Sequence, residues 1–472
     1  MTTISAQQQV SGTAPTGAFA PAAAVATAIR AGEVSAQEVT SALLERIKAI
    51  NPQVNAISEL DADGASAAAA RVDEAVARGE PVGPLAGAPM TIKDAFHVAG
   101  LRTTWGNPVF AEAVADWDAT VVERLRRAGA VIVGKSNVAM MLGDFGQTSN
   151  PLHGTTSNPW DLGRTTGGSS GGAAAALACG LTYLEYGSDL VGSIRIPAAY
   201  CGVYGLKPTA GTVPLAGFQP PGPKAPTGDA THLAAVGPMA RSAGDLRLAL
   251  QATGGPDGPE SLTYRWRLTP PRRRRLEEFT ISVVLDDPAC AVTSEVGDAL
   301  SNVVDALAGA GVTVRHGWPA GVDPGRVAES FRAHVGAYFA FLEPGGSLDG
   351  LDYVTHERFR TATRAAWADH FRESDAFLCP VTFTTAFPHD PRPFDERIIE
   401  TLEGPRPYTD QPFWITQASL PGLPALTAPA GRTPAGLPVG IQMVGPQHED
   451  DTVLTFAELA AEVIGGFTSP PL

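Results

Sequence analysis

Short apolar runs that alternate with helical segments constrain the possible folds of this chain more than any other feature. In "ATVVERLRRAGAVIVGKSN" a helix and a turn lead into a β-branched run at 130–133, which indicates a buried strand. The C-terminal half repeats this order, with strands predicted in "FTISVVL", "VTVRH", "AFLCPVTF" and "GLPVGIQMVG" and a helix in "SEVGDALSNVVDALAGAG". Such alternation is typical of α/β proteins. We therefore predict an α/β fold with a single large mixed β-sheet covered on both faces by helices.

Domain organisation is inferred from changes in composition along the chain. Residues 1–20 are polar and are predicted to form a flexible N-terminal arm, whereas residues 21–472 are predicted to form one domain. Ser35 and Glu38 have the spacing of a capping box, which predicts the start of a helix. The stretch 255–280 is rich in Pro, Arg and Gly and is interpreted as a connector, after which the C-terminal part completes the same sheet.

The charge balance argues against two classes of partner. The chain has 34 Lys and Arg against 49 Asp and Glu, a formal net charge of −15, whereas nucleic acids and anionic membranes bind clustered cations. The basic cluster "PRRRR" at 271–275 is interpreted as part of a solvated connector. No run reaches the ~18 to 20 apolar residues of a membrane span. We therefore expect no nucleic-acid and no membrane partner.

Cysteine usage and the N-terminus bear on location and cofactors. "MTTISAQQQVSGTAP" lacks the basic and apolar regions of a secretory signal. Cys179, Cys201, Cys290 and Cys379 are far apart without a C-x-x-C pair, which favours reduced thiols and a cytoplasmic location. Neither H-E-x-x-H nor a Cys/His cluster occurs, so we predict no metal and no other cofactor.

The stretch "TTGGSSGG" at 165–172 is open to three interpretations. Its composition is that of a flexible linker. It also fits the nucleophile elbow G-x-S-x-G twice, centred on Ser169 and on Ser170, but that motif needs a strand directly before the serine and "NPWDLGR" is turn-forming. The third possibility is a glycine-rich loop that serves other chemistry. A Walker A match, "GAVIVGKS", is disfavoured because its variable positions form the apolar run at 130–133.

Two residues at predicted strand ends are candidates for nucleophilic chemistry. "GAPMTIKDAF" places Lys93 among apolar neighbours, and "GSDLVGSIRIP" presents Ser193 on a glycine-bounded turn. The nine histidines fall in unrelated contexts, so a serine nucleophile would need another base. A neutral lysine can serve, and lowering its pKa by about 3 units from ~10.4 costs roughly 4 kcal/mol, which burial can supply. A hydroxyl between Lys93 and Ser193 would relay the proton.

These motifs together resemble the amidase signature family of serine hydrolases. The resemblance runs from "GAPMTIKD" through "GKSN", "NPWDLGRTTGGSSGG" and "GSDLVGSIRIPAAYCGVYGLKPT" to "VGPMARSAGDL", and weakly to "LPGLPALTAPAG" and "GLPVGIQMVGP". It covers most of the chain, with a signature core at about 80–250. It implies that Ser193 is the nucleophile, that Lys93 is the general base, and that Ser169 relays the proton after a non-proline cis peptide bond that follows Gly168. Ser170 would be an accessory hydrogen-bonding residue.

The resemblance also assigns the turn around Ser193. The oxyanion hole would consist of main-chain N–H groups, those of Leu190, Val191, Gly192 and Ser193. Asp189 and Arg195 would fix the turn as a charge pair. The family usually has Gly-Gly where this chain has Val191 and Gly192. Because a β-branched residue resists positive φ, either the backbone stays where valine can reach or the hole is altered. The Val191 side chain is hypothesised to shape the substrate pocket.

The resemblance implies an amidase that hydrolyses the C–N bonds of linear amides, without a cofactor. Esters and carbamates (urethanes) can react by the same acyl-enzyme route. Two alternatives remain: a glutaminase subunit of a tRNA-dependent amidotransferase, which usually has Gln where this chain has Ile196, and a family member kept as a binding protein. The pocket is expected near Phe145, Phe413 and the segment 331–341, and the chain is expected to be a monomer or a homodimer.

Overall fold

The computed structural model of the protein describes residues 16–221, 233–342 and 349–472, and of residues 341 and 342 the backbone only. Eleven strands of the described chain belong to its two larger sheets. They are β1 (Ile57–Leu60), β2 (Pro89–Lys93), β3 (Val131–Ser136), β4 (Glu185–Asp189), β5 (Tyr204–Lys207), β6 (Ala235–Ala240), β7 (Thr280–Val283), β8 (Thr313–His316), β9 (Ala376–Pro380), β10 (Ala425–Arg432) and β11 (Pro438–Val444).

The helices of the described residues lie between these strands. They are α1 (Ala22–Arg30), α2 (Ala36–Val54), α3 (Ala62–Ala77), α4 (Thr120–Arg127), α5 (Gly171–Ala178), α6 (Arg195–Cys201), α7 (Ala243–Thr253), α8 (Glu260–Thr263), α9 (Ser294–Gly309), α10 (Pro324–Leu342), α11 (Gly350–His370), α12 (Phe413–Ser419) and α13 (Asp450–Ile464). The predicted capping box of α2 is present, since the Ser35 hydroxyl accepts from the Glu38 N–H and the Glu38 carboxylate accepts from the Ser35 N–H. Every helix in the described ranges is too short or too polar to cross a bilayer.

The larger sheet has eight strands in the order β8-β7-β9-β11-β10-β5-β6-β4. Strand β7 runs parallel to both of its neighbours, whereas the other pairings in this sheet are antiparallel. A second sheet, β1-β3-β2, has one parallel and one antiparallel pairing and lies with β2 against the edge strand β4. The predicted α/β fold with a large mixed sheet is confirmed. The strands named above form two sheets that meet where β2 contacts β4 without being paired to it.

Helices pack on both faces of the eight-stranded sheet. Helices α5 and α6 contact one another and the sheet on one face. On the opposite face α13 contacts both α7 and α9, and all three contact the sheet. The main apolar core lies around the second group and extends to the small sheet. A separate cluster, rich in aromatic side chains, joins α6, α10, α11 and α12 with strand β9. This second cluster borders the site described below.

The last residues of the predicted N-terminal arm pack on the domain. Ala20 is 2% exposed, and the carbonyl group of Thr16 accepts a hydrogen bond of 3.0 Å from the Tyr183 hydroxyl. Residues 16 and 20 of the predicted arm are therefore held by the domain, and residues 1–15 lie outside the described residues. The division into one domain stays a prediction.

Candidate active site

The stretch "TTGGSSGG" is a buried loop between a short strand and a helix. Its first residue ends the strand Asp161–Thr165, and Gly171 begins α5. Thr166, Ser169 and Ser170 are fully buried, so the segment is not a flexible linker. A strand does precede the loop, contrary to the expectation from "NPWDLGR". It belongs to a two-stranded ribbon outside the large sheets, and residues 166–168 separate it from Ser169, unlike the strand of a nucleophile elbow.

Close main-chain packing holds this loop. The Gly168 N–H donates to the carbonyl group of Phe145 at 2.9 Å, and the Thr148 hydroxyl donates to that of Gly167 at 2.8 Å. A Cβ atom at Gly168 would lie 2.3 Å from the Gln147 carbonyl oxygen, so only glycine fits there. The peptide bond between Gly168 and Ser169 is cis, as the family resemblance implied.

Lys93 lies at the end of β2, and its ammonium group is surrounded by serine hydroxyls. Its Nζ atom is 2.7 Å from Ser169 Oγ, 2.8 Å from Ser170 Oγ and 2.9 Å from Ser188 Oγ, and all of these side chains are buried. The contacts to Ser169 and Ser170 agree with the sequence prediction. Ser188, in β4, was not predicted, because nothing in "GSD" indicates that β4 would lie beside β2.

Burial changes the proton affinity of this lysine. Removal of the ammonium from water lowers the pKa of Lys93 to about 7, against the attraction of Asp189 and Glu185. A neutral amine donates two hydrogen bonds and accepts one through its lone pair, so one of the three hydroxyls can then donate to Nζ. Near neutral pH, Lys93 can therefore accept a proton from a serine.

Ser193 lies beside this cluster on the turn between β4 and α6. Its carbonyl group accepts a hydrogen bond of 3.2 Å from the Ser170 N–H, which ties the turn to the glycine-rich loop. Its side chain is among those that line a cavity. The structure thus brings together the predicted Lys93, Ser169, Ser170 and Ser193.

A fully buried ion pair fixes the turn. Asp189 accepts two hydrogen bonds from the Arg195 guanidinium, at 2.8 and 2.9 Å, and further bonds from main-chain N–H groups of the turn. This guanidinium holds the pKa of the buried Asp189 below its usual value, although burial alone would raise it. Arg195 also donates to elements of the C-terminal half: the Ile415 carbonyl, Gln442 Oε1 and Ser419 Oγ. Asp189 and Arg195 thus have the structural arrangement predicted for them.

The conformation of the turn answers the question raised by Val191. Gly192 has a φ of +86°, whereas Val191 is not among the residues with positive φ, so the backbone at 191 stays where valine is allowed. The Gly192 N–H donates to Asp189 Oδ1 at 3.0 Å, which differs from its predicted place in an oxyanion hole. Within the described part of the chain, the N–H groups of Leu190, Val191 and Ser193 donate no hydrogen bond to a main-chain acceptor.

The cavity beside Ser193 has a volume of about 390 Å³ and is mainly apolar. The predicted side chains of Phe145, Phe331 and Phe413 line it, and so does Val191. The segment 331–341 contributes Phe331, Arg332, Val335 and Phe339, whereas the side chain of Phe341 lies outside the described part of the chain. Leu142 lines the cavity in the expected region near Phe145, whereas sequence analysis missed the lining residues Cys290 and Phe394 in two other segments.

Neither a metal nor a phosphate site is built from the motifs considered. Across residues 16–221, 233–342 and 349–472, His, Cys, Asp and Glu side chains form no group of three that could hold a metal ion. The Walker A match forms the buried strand β3, as predicted, and Lys135 Nζ donates to the Phe96 carbonyl at 2.7 Å. This lysine points into the protein and cannot contact a phosphate.

An α/β fold with a buried lysine and several serine hydroxyls beside an apolar cavity has the features of a hydrolase. The model of the amidase family matches residues 38–342 and 340–454. The chain therefore belongs to the amidase signature family, whose activity is hydrolysis of C–N bonds.

Two curated relatives illustrate this membership, and one solved structure shows the same fold. An acylamidase of Rhodococcus erythropolis is 33% identical over 455 residues, which cover 92% of this chain and 93% of that protein. A glutamyl-tRNA(Gln) amidotransferase subunit of Synechococcus sp. (strain CC9605) is 31% identical over 497 residues, covering 94% of this chain and 96% of that protein. A bacterial aryl acylamidase of the amidase signature family has the same fold, with a TM-score of 0.80 at 24% identity over 95% of this chain and 96% of that chain.

Proposed function

We propose that the protein is an amidase in which Ser193, Ser169 and Lys93 form a catalytic triad. The observation that carries the proposal is the 2.7 Å contact between Lys93 Nζ and Ser169 Oγ in a fully buried position next to Ser193. A lysine that can be neutral near pH 7 removes the need for histidine. Ser170 and Ser188 hold the amine in place through its other two hydrogen bonds.

The reaction proceeds by acyl transfer. Ser193 Oγ forms a bond to the amide carbon while its proton moves to Ser169 Oγ, and the Ser169 proton moves to Lys93 Nζ. The C–N bond then breaks as the leaving nitrogen receives a proton back through Ser169. Water attacks the resulting ester by the same route, releasing the acid and restoring Ser193. The N–H groups of Leu190, Val191 and Ser193 are the proposed donors to the oxyanion, whereas Gly192 supports the turn instead.

The cavity favours substrates with an apolar group next to the scissile bond. Its aromatic lining offers surface for an aryl or alkyl substituent, and such surface contributes about 25 cal/mol per Å² buried. Amides are the proposed substrates, and esters and carbamates of the same shape can enter the same pathway. A linear amide of an aromatic amine is the substrate with which to begin. Because the four cysteines are buried free thiols, we retain the expectation of a cytoplasmic location.

The alternative of a glutaminase subunit has support from relatives such as the Synechococcus amidotransferase protein. Glutamine carries an ammonium and a carboxylate, and although the cavity is mainly apolar its lining includes the carboxylate of Asp410 and the guanidinium of Arg332, so the cavity does not decide between the two functions. Position 196, usually Gln in glutaminases of this kind, is here a fully buried Ile196 packed against Gly192.

We expect the purified chain to hydrolyse an aryl amide faster than glutamine without ATP or partner proteins. The reverse preference would favour the glutaminase.

A small fluorophosphonate tests the proposed nucleophile and base together. We expect a single adduct on Ser193 by intact-mass and peptide-mapping spectrometry. Because Lys93 has a pKa of about 7 and acts in its neutral form, the labelling rate should rise with pH up to about 7 and level off above it. Below this pH the rate should fall about tenfold per pH unit. A folded chain that forms no adduct on Ser193 at any pH would contradict the proposed function and favour a binding protein.

Substitutions of Gly192 and Val191 should distinguish the roles of these two residues in the turn. In Gly192→Ala the new Cβ would lie 2.8 Å from Ile196 Cδ1 at a φ of +86°, so the turn must shift. We expect about a 100-fold loss of kcat/KM, the effect of a ~1 Å displacement in an active site. Gly436→Ala is the matched control, since Gly436 has a φ of +84° and open space around it. Gly436→Ala should have the same backbone strain and keep full activity. Equal losses of kcat/KM in the two variants would contradict a role of the Ser193 turn in catalysis.

Val191→Gly tests the other half of the same turn. Because Val191 keeps a φ that any residue adopts, the turn should persist, and kcat/KM for a small amide should stay within about tenfold of wild type. The preference for larger acyl groups should rise, because the valine side chain no longer occupies the cavity wall. An unchanged rate together with an unchanged preference would remove the hypothesis that Val191 shapes the pocket.

A further inference from the structure

Glu185 is a buried carboxyl group near Lys93 that the proposed triad does not use. It is the first residue of β4, and its side chain is fully buried. Its Oε1 atom accepts a hydrogen bond of 2.7 Å from the Thr91 hydroxyl, and its Oε2 atom accepts one of 2.9 Å from the Tyr186 N–H. The carboxyl group is the acceptor in both hydrogen bonds, which favours its ionised form.

Strand geometry places this carboxyl group beside the lysine. Thr91 and Lys93 are two residues apart in β2, so their side chains project from the same face at a spacing of roughly 7 Å. The Thr91 hydroxyl contacts Glu185, whereas the Lys93 ammonium contacts Ser188 in the same strand, β4. Through its bond to Thr91 the Glu185 carboxyl group therefore lies on the Lys93 side of β2, close enough for its charge to attract the ammonium.

The other charged groups near Lys93 are already paired. Asp189 also faces Lys93, but the Arg195 guanidinium binds both of its oxygens. Lys135, in β3, also interacts with the Glu185 charge, but its ammonium lies 3.5 Å from Asp94. Among the described residues, Glu185 forms no ion pair within 4.0 Å and no hydrogen bond to a cation. It is thus the buried carboxyl group whose charge is free to respond to Lys93.

We propose that Glu185 is the counter-charge of Lys93: its carboxylate stabilises the ammonium that forms when Lys93 takes the proton of the serine hydroxyls, and so sets the pH range in which Lys93 acts. Burial raises the pKa of Glu185 to about 7 and lowers that of Lys93 to about 7, so the two groups titrate in one range and the charge of each favours that of the other. Glu185 is a positioning residue, because it acts through Lys93 and does not touch the substrate. The proposal rests on the proposed function.

The test is the pH profile of fluorophosphonate labelling in Glu185→Gln. The amide keeps the size of the side chain and an oxygen for Thr91, but it removes the negative charge. We expect the lower limb of the profile to move to lower pH by about one unit, as for loss of a nearby opposite charge. Because the amine becomes a weaker base, the rate on the plateau above pH 8 should fall by about tenfold. Thr91→Val, which removes one donor to the carboxylate, should shift the limb in the same direction by less.

Asp450→Asn is the matched control. Asp450 is also a buried carboxyl group and binds the Thr209 hydroxyl, but it faces Lys207 rather than Lys93. The lower limb of the labelling profile of Asp450→Asn should coincide with that of wild type. Thermal melting of each variant reports whether the fold is kept. A folded Glu185→Gln whose limb stays in place or moves to higher pH would overturn the proposal while leaving the triad intact. Failure of the wild type to form the Ser193 adduct would remove the proposed function, and this proposal with it.

Discussion

Ser193→Ala is expected to reduce kcat/KM for an aryl amide by about 10⁴-fold or more, to the level of contamination, because no other group can form the acyl-enzyme. The fluorophosphonate adduct should disappear as well. The loss should not come from unfolding, since the pair of Asp189 and Arg195 and the positive φ of Gly192 fix the turn without the Ser193 hydroxyl.

Ser188→Ala is the appropriate control for this variant. It removes a hydroxyl that contacts the same lysine at 2.9 Å but lies in β4 and outside the cavity lining. This variant should still form the adduct on Ser193, at a reduced rate. Intact-mass measurement and amide turnover distinguish the two variants directly. An adduct that forms on another serine in Ser193→Ala would assign the nucleophile to that residue.

Lys93→Met should have the second-largest effect, a loss of about 10³-fold in kcat/KM and in labelling rate, which is the range of general base catalysis. Methionine fills a similar volume without an amine, so Ser169 loses its proton acceptor. The remaining rate should no longer show a limb near pH 7, because the limb reports the neutral form of the Lys93 amine, which is gone.

Lys207→Met provides a matched comparison for the lysine. Lys207 is also fully buried, and burial likewise lowers its pKa to about 7, but its Nζ atom donates to the Pro208 carbonyl and contacts no serine hydroxyl in the described residues. Both variants remove one buried cation, and only Lys93→Met should lose the base. Comparable losses in the two variants, at comparable melting temperatures, would contradict the role of Lys93.

Local pattern predicted the parts of the site that depend on a few consecutive residues. The β-branched run of β3, the capping box of α2 and the end of β2 at Lys93 follow from side-chain periodicity and capping. The family resemblance added the cis bond before Ser169 and the Asp189–Arg195 pair, and both are present. The catalytic roles of these residues stay predictions.

Features that depend on pairing between distant segments were not predicted. Strands β5 and β6, "YGLK" and "AVGPMA", contain Gly or Pro, and β10 contains Pro429, all of which weaken a strand pattern. Ser188 and Glu185 became relevant only because β4 lies beside β2. The cavity lining likewise includes Cys290 and Phe394, whose proximity is a result of tertiary packing.

The bonds of Arg195 to the C-terminal half have a consequence for biosynthesis. The turn that carries Ser193 is anchored by the Ile415 carbonyl, Ser419 and Gln442, which leave the ribosome more than 200 residues later. A nascent chain that already contains Lys93, Ser169 and Ser193 still has a buried guanidinium without most of its acceptors. The turn therefore gains its full set of contacts only after Gln442 has been synthesised, so that a chain that stops before this residue carries Lys93, Ser169 and Ser193 on an incompletely anchored turn.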